Sequence, residues 1–92
     1  MRGKQLQHLN NCLRKYRLAR GLKQQEAAVI LAVSTSMISR WEKGICMPEF
    51  INVLKMSLLY RAMIEALFID HVRYLKDALR KKEEAGLIAE KN

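Results

Sequence analysis

Residues 24–43, QQEAAVILAVSTSMISRWEK, constrain this chain more than any other stretch. Apolar residues recur there at helical spacing in two separate sets. Ala27, Ala28 and Leu31 mark the inner face of one helix; Val33, Ile38 and Trp41 mark that of a second. Ser34 between them is a good N-cap, because its hydroxyl can accept from the free amides of a first turn. Val33 and Ile38 are placed as a hydrophobic staple, which fixes the angle at which the chain enters the second helix. Gly44 follows as a helix stop. The pattern predicts two short helices joined by a tight turn, the second presenting small polar and basic residues outward.

Ninety-two residues suffice for one small domain. Half of them are hydrophobic, so a modest core can form, and no apolar run reaches the length of a membrane span. The net charge of +8 is unevenly placed. Residues 1–48 hold nine Lys/Arg against Glu26 and Glu42, while residues 49–92 hold eight Lys/Arg against seven acids. A basic field confined to the half with the two-helix pattern suits a polyanion, since Lys and Arg displace counterions condensed on phosphates. The opening residues, MRGKQLQHLNN, lack the apolar block of a secretory signal, so a cytoplasmic, nucleoid-associated protein without a membrane is expected. Cys12 and Cys46 are then expected to stay reduced. His8 and Cys12 share a helical spacing but have no second pair to close a metal site. Neither a metal nor a cofactor is expected, and His71 is expected at the surface.

Read in order, the chain predicts a first helix over residues 5–20, with Leu6, Leu9, Leu13 and Tyr16 (or Arg17) on its apolar face and Gly21 as its stop. Arg14, Lys15 and Arg20 are read as a solvated face. Lys23 stands where an N-cap belongs and has no acceptor to offer. Pro48 is expected to open a fourth helix, a position that tolerates its missing amide, with Phe50, Val53, Leu54 and Ser57 inward. A break is expected near residues 61–63. A fifth helix would run from Ile64 to about Glu84, with Ile64, Leu67 and Phe68 in the core. Phe68, Val72, Leu75 and Leu79 form a stripe that is either a dimer surface or a packing face against the chain's own domain. The expected organisation is a domain over 5–69, a helical extension over 70–85 and a loose tail over 86–92.

The run LRKYRLARGLKQQEAAVILAVSTSMISRWEKG, followed by a proline and an apolar helix, resembles the helix-turn-helix domain of lambda-type repressors, Cro and the xenobiotic-response-element regulators. The resemblance extends from about Leu9 to Phe68. It rests on Arg17, Gly21-Leu22, Gln24, Ala28, Val33-Ser34, Ile38-Ser39, Trp41-Glu42, Gly44 and Pro48. It implies an all-α, five-helix repressor-like domain with an extended C-terminal helix, whose third helix enters the major groove of double-stranded DNA. Carried over by position, Thr35, Ser36, Ser39 and Arg40 would face base edges, and they also share one helical face. Arg40 is the strongest candidate, because guanidinium matches guanine O6 and N7. Lys23, Gln24, Ser34 and Lys43 would meet phosphates. For Ser34 and Ser36 helix-start chemistry is an equal reading, and for the two lysines so is plain solvation. Arg17 and Glu42 would form a structural ion pair, and Trp41 would be core.

Three departures from the family pattern carry expectations. Ala32 stands where a glycine is usual, which predicts backbone strain. Ala27 is smaller than usual. Val29 and Ile30 replace polar residues, and the extended fifth helix or a second subunit is expected to cover them. The reading is a sequence-specific transcriptional regulator and not an enzyme, since no nucleophile–base pair, carboxylate pair or phosphate loop occurs at useful spacing. A homodimer on a palindromic operator is expected. The alternatives are an antitoxin or restriction–modification controller whose C-terminal helix binds a partner protein, and an interaction module of the same fold that has lost DNA binding.

Overall fold

The computed structural model describes residues 9–86; what the sequence suggests for residues 5–8 and 87–92, Leu6 and His8 included, lies outside them. Six helices and no strand occur among the described residues: α1 (Leu13–Ala19), α2 (Gln24–Leu31), α3 (Thr35–Lys43), α4 (Phe50–Tyr60), α5 (Ile64–Leu67) and α6 (Ile69–Glu84). Their shared core is Leu13 from α1, Ala27, Ala28 and Leu31 from α2, Ile38 and Trp41 from α3, Met56 and Tyr60 from α4, then Leu67 and Phe68. Both apolar sets of the two-helix pattern thus face inward, with Val33 packed against the same cluster.

Helix ends follow local chemistry. Gly21 (φ 72°) ends α1, with the Leu22 amide bonded to the Arg17 carbonyl and the Gly21 amide to that of Leu18. Gly44 (φ 76°) ends α3 in the same way, through Ile45 to Arg40 and Gly44 to Trp41. These are Schellman closures, which use a left-handed residue to satisfy the last carbonyls. Ala32 makes the same closure between α2 and α3 at φ 61°, where its Cβ crowds the backbone. The expected strain is therefore present. Arg61 takes the left-handed position after α4, at φ 55°.

Several expectations from periodicity give way. Among the described residues the first helix begins at Leu13, and residues 9–12 are not helical. The Asn11 side chain accepts from the Leu13 amide at 3.0 Å and donates to the Trp41 carbonyl at 2.9 Å. The Cys12 amide bonds the Leu67 carbonyl at 2.8 Å. An asparagine that satisfies backbone groups locally competes with helix and sets its start. Pro48 lies outside α4, whose N-cap is Glu49. The buried side of α4 is Met56 and Tyr60, not Phe50 and Leu54, both of which are exposed.

The long fifth helix is interrupted at Phe68, whose φ of −129° and ψ of 44° leave the helical region. That turn of backbone lodges the Phe68 ring in the core, edge-on to His71 at 5.4 Å. Phe68 therefore belongs to the interior and not to a dimer stripe, and His71 is buried rather than at the surface. Val72 is half-buried, while Leu75 and Leu79 stay exposed. Beyond them α6 is held by its own ion pairs, Asp77 with Arg80 and Lys81, and Arg80 with Glu84. Pairs three and four residues apart support a helix that has little else to pack on. Hydrogen bonding from Arg80 and then Lys81 pulls the Asp77 carboxyl below its ordinary pKa. Cys12 and Cys46 are free thiols.

Candidate nucleic-acid interface

The site is built on α3. Ser34 caps it, its Oγ accepting from the Met37 amide at 3.1 Å, and lies 3.3 Å from Ser36 Oγ. Ile38 and Trp41 are buried beneath the helix, which turns the opposite side outward. Ser36, Arg40 and Lys43 on that side are exposed; Thr35 and Ser39 are half-buried at its edges. The sequence-predicted base-facing set is thus brought together on one accessible surface. It carries hydroxyls, a guanidinium and an ammonium.

The orientation of α3 is set from below by an ion pair. Arg17 Nε donates to Glu42 Oε2 at 2.5 Å and Arg17 Nη2 to Glu42 Oε1 at 3.0 Å, both side chains being almost wholly buried. The third guanidinium arm donates to the Leu22 carbonyl at 2.8 Å. A planar guanidinium that meets a carboxylate with two parallel bonds fixes angle as well as distance. The Glu42 hydrogen bond raises the Arg17 pKa further. The pair therefore ties α1 to the last turn of the outward-facing helix.

Gln24 joins this network, its Nε2 donating to Glu42 Oε1 at 3.0 Å. A primary amide has two N–H donors, so the second remains for an outside acceptor. Lys23, just before it, has no acceptor and cannot cap. Glu26 supplies the other half of the capping arrangement, reaching back to the Lys23 amide at 2.8 Å. The Lys23 ammonium stays exposed at the start of α2.

An open groove of about 620 Å³ joins the two helix starts, and Arg14, Lys23, Gln24, Gln25 and Thr35 are among the residues on its walls. Arg14 is exposed, as the sequence leads one to expect of a solvated face, and it stands on the wall of this groove one turn before Arg17, on the same side of α1. Arg20, from the same basic set, does something else: its guanidinium donates to the Leu59 carbonyl and ties α1 to α4.

Val29 and Ile30 lie on α2, 80% and 56% exposed. With Leu22, Gln25 and Glu26 they line an open apolar depression of about 440 Å³. α6 does not cover them, which overturns the intramolecular half of that expectation. None of the helices among the described residues is long and apolar enough to cross a membrane.

Comparison with known families agrees with this geometry. Residues 13–61, just over half of the chain, match a helix-turn-helix family. No curated protein and no solved structure matches the chain. The matched span runs from the first residue of α1 to the left-handed residue after α4, and so contains the ion pair, the tight turn at Ala32 and the whole outer face of α3. The chain belongs to the helix-turn-helix family of DNA-binding regulators, of the lambda repressor and Cro kind.

Proposed function

We propose that the chain is a sequence-specific regulator of transcription that reads duplex DNA through α3 and works as a homodimer on a two-fold-symmetric site. The observation that carries this reading is the division of α3: Ile38 and Trp41 buried, Ser36 and Arg40 open to solvent. A helix held rigidly from below, with a guanidinium and hydroxyls outward, has the dimensions and donors that a major groove accepts. Arg40 pairs with a guanine. Thr35, Ser36 and Ser39 contact neighbouring base edges, threonine offering a methyl to thymine as well.

Phosphates on either side are held by Lys23, Gln24 and Ser34 at the helix starts and by Lys43 at the end of α3. Arg14 joins them from the groove wall it shares with Gln24 and Thr35. A DNA partner places the protein in the cytoplasm with the nucleoid. One domain reads only a few base pairs, so two copies on half-sites roughly 34 Å apart supply the remaining affinity.

The test is selection of bound sites from a random duplex pool with the full chain, followed by titration at several salt concentrations. The expected result is a palindromic consensus and an affinity that falls steeply with salt. A chain that enriches no sequence and binds random duplex weakly even at low salt would be an interaction module instead.

A further inference from the structure

We propose that the groove between α3 and the start of α4 binds a soft monovalent metal ion of the copper(I) kind, held by the thiolate of Cys46 and the thioethers of Met37 and Met47. Two of the five methionines and one of the two cysteines of the chain line this one groove, of about 450 Å³. Met37 comes from the first turn of α3, whereas Cys46 and Met47 follow Gly44, where that helix stops. The left-handed turn at Gly44 sends the chain back along the helix, so that Cys46 meets a residue nine positions earlier.

Cys46 Sγ lies 4.0 Å from Met37 Sδ. Two sulfurs each about 2.3 Å from one ion, the usual metal–thiolate length, stand 4.0 Å apart when the angle at the ion is about 120°. That is the angle of three donors in a plane, and Met47 brings a third sulfur to the same wall. Cys46 and Met37 are half-buried and Met47 is exposed, so an ion reaches them from water without opening the core.

The donors select the ion. Thiolate and thioether sulfurs are soft and favour copper(I), whereas magnesium, calcium and manganese seek oxygen. Zinc in a structural site takes four donors from cysteine, histidine and carboxylates, and among the described residues no three His, Cys, Asp or Glu side chains gather as such a set. Glu49 borders the groove from the N-cap of α4 and is exposed; its carboxylate is a hard donor that copper(I) does not seek. As the ion binds, a sulfur–copper bond replaces the S–H bond of Cys46, the proton passes to solvent, and no electron is transferred. One thiolate cancels the single positive charge. A neutral unit suits a wall formed in part by Val33 and Trp41, which offer a bare charge little solvation.

The experiment is titration of the reduced full chain under nitrogen with copper(I), supplied as its acetonitrile complex, in competition with a coloured copper(I) chelator. Helicity is checked by circular dichroism. Cys12, which is outside this groove, is replaced in a Cys12→Ser background so that Cys46 is the one thiol. That background is expected to bind one ion per chain, with sulfur alone around the copper in X-ray absorption. Adding Cys46→Ser is expected to weaken binding by more than the roughly 100-fold that loss of a merely supporting group costs. Met37→Leu and Met47→Leu keep the side-chain volume and so the fold, and each is expected to weaken binding by about tenfold. Binding that disappears with Cys12→Ser, one ion shared between two chains, oxygen or nitrogen around the copper, or leucine variants that bind as tightly as the background overturns the proposal. None of these readouts involves DNA, so a chain that selects no sequence leaves the metal site standing, and a sequence-specific chain that binds no copper(I) removes the metal site alone.

Discussion

α3 and α4 rest on the same core and leave opposite things outside. α3 buries Ile38 and Trp41 and shows water Ser36, Arg40 and Lys43. α4 buries Met56 and Tyr60 and shows water Phe50, Ile51 and Leu58. An inner face only says that a helix belongs to a domain. The outer face says what the domain meets: donors and positive charge suit phosphates and base edges, whereas an apolar stripe needs another apolar surface. Breaking or sharpening this contrast gives the tests that follow.

The largest effect is expected where both faces depend on one support. Arg17 and Glu42 join α1 to α3, and Glu42 also lies close enough to Tyr60 of α4 to influence its ionisation. Replacing Arg17 with alanine leaves a carboxylate buried without its partner, a loss of about 3–5 kcal/mol. For a domain of this size that lowers the melting temperature by more than about 12 °C, read from the loss of helicity on heating. DNA binding and dimerisation fall together. A variant that melts within a few degrees of wild type would show that α3 is oriented by its apolar side alone.

Tyr60 sharpens the contrast from the inner side of α4. Burial, and then the nearby Glu42 carboxylate, push its pKa from 10.0 to about 12, with Arg17 working the other way. Its hydroxyl has no hydrogen-bond partner among the described residues. In the unfolded chain the phenol ionises near 10, and in the folded chain only near 12. Below pH 10 both states are neutral and the fold keeps its full stability. Between pH 10 and 12 the unfolded state ionises first, and about 1.4 kcal/mol is lost per pH unit. Tyr60→Phe is expected to remove that slope, seen as the difference between the two proteins in denaturant unfolding from pH 9 to 12. Parallel curves would place the phenol in contact with water.

Arg40→Ala tests the outer face of α3 by itself. Loss of a two-point guanine contact relaxes preference at one base pair of each half-site by about 1–3 kcal/mol. Stability moves within about 0.5 kcal/mol, because the side chain is exposed, and the monomer–dimer balance stays as it was. Competition binding with single-base operator variants gives the readout. Equal losses on every sequence would mean that Arg40 holds a phosphate instead.

What the sequence made legible follows the same contrast. Where a helix has one apolar side, spacing alone identified the buried residues: Ala27, Ala28 and Leu31, then Ile38 and Trp41. The Ser34 cap and the Gly21 and Gly44 stops were legible because each is a local bond between near neighbours. α4 was misread, since with apolar residues on both sides its periodicity has no preferred direction, and Phe50 and Leu54 looked as good as Met56 and Tyr60. Phe68 was rightly expected in the core, but its place in the outer stripe and the surface position of His71 were misread for another reason. The break between α5 and α6 has no proline or glycine, and arises from packing one ring into a core built by residues far away in sequence. Arg14 and Arg20 look alike in sequence, and only the fold separates a groove wall from a tie to the Leu59 carbonyl.

The smallest effect is expected from the two strained joints. Ala32 feeds α3 and Arg61 ends α4, both left-handed without being glycine. A side chain there costs roughly 1–2 kcal/mol, and glycine, which removes the cost, returns part of it as extra freedom of the unfolded chain. Ala32→Gly is therefore expected to add about 1 kcal/mol and to raise the melting temperature by about 4–8 °C, with sequence preference and association unchanged. Arg61→Gly relieves the same strain after α4 and is expected to raise the melting temperature by a similar amount, read from the loss of helicity on heating. A variant that melts with or below wild type would mean that the left-handed position at the end of α4 carries no cost for an arginine.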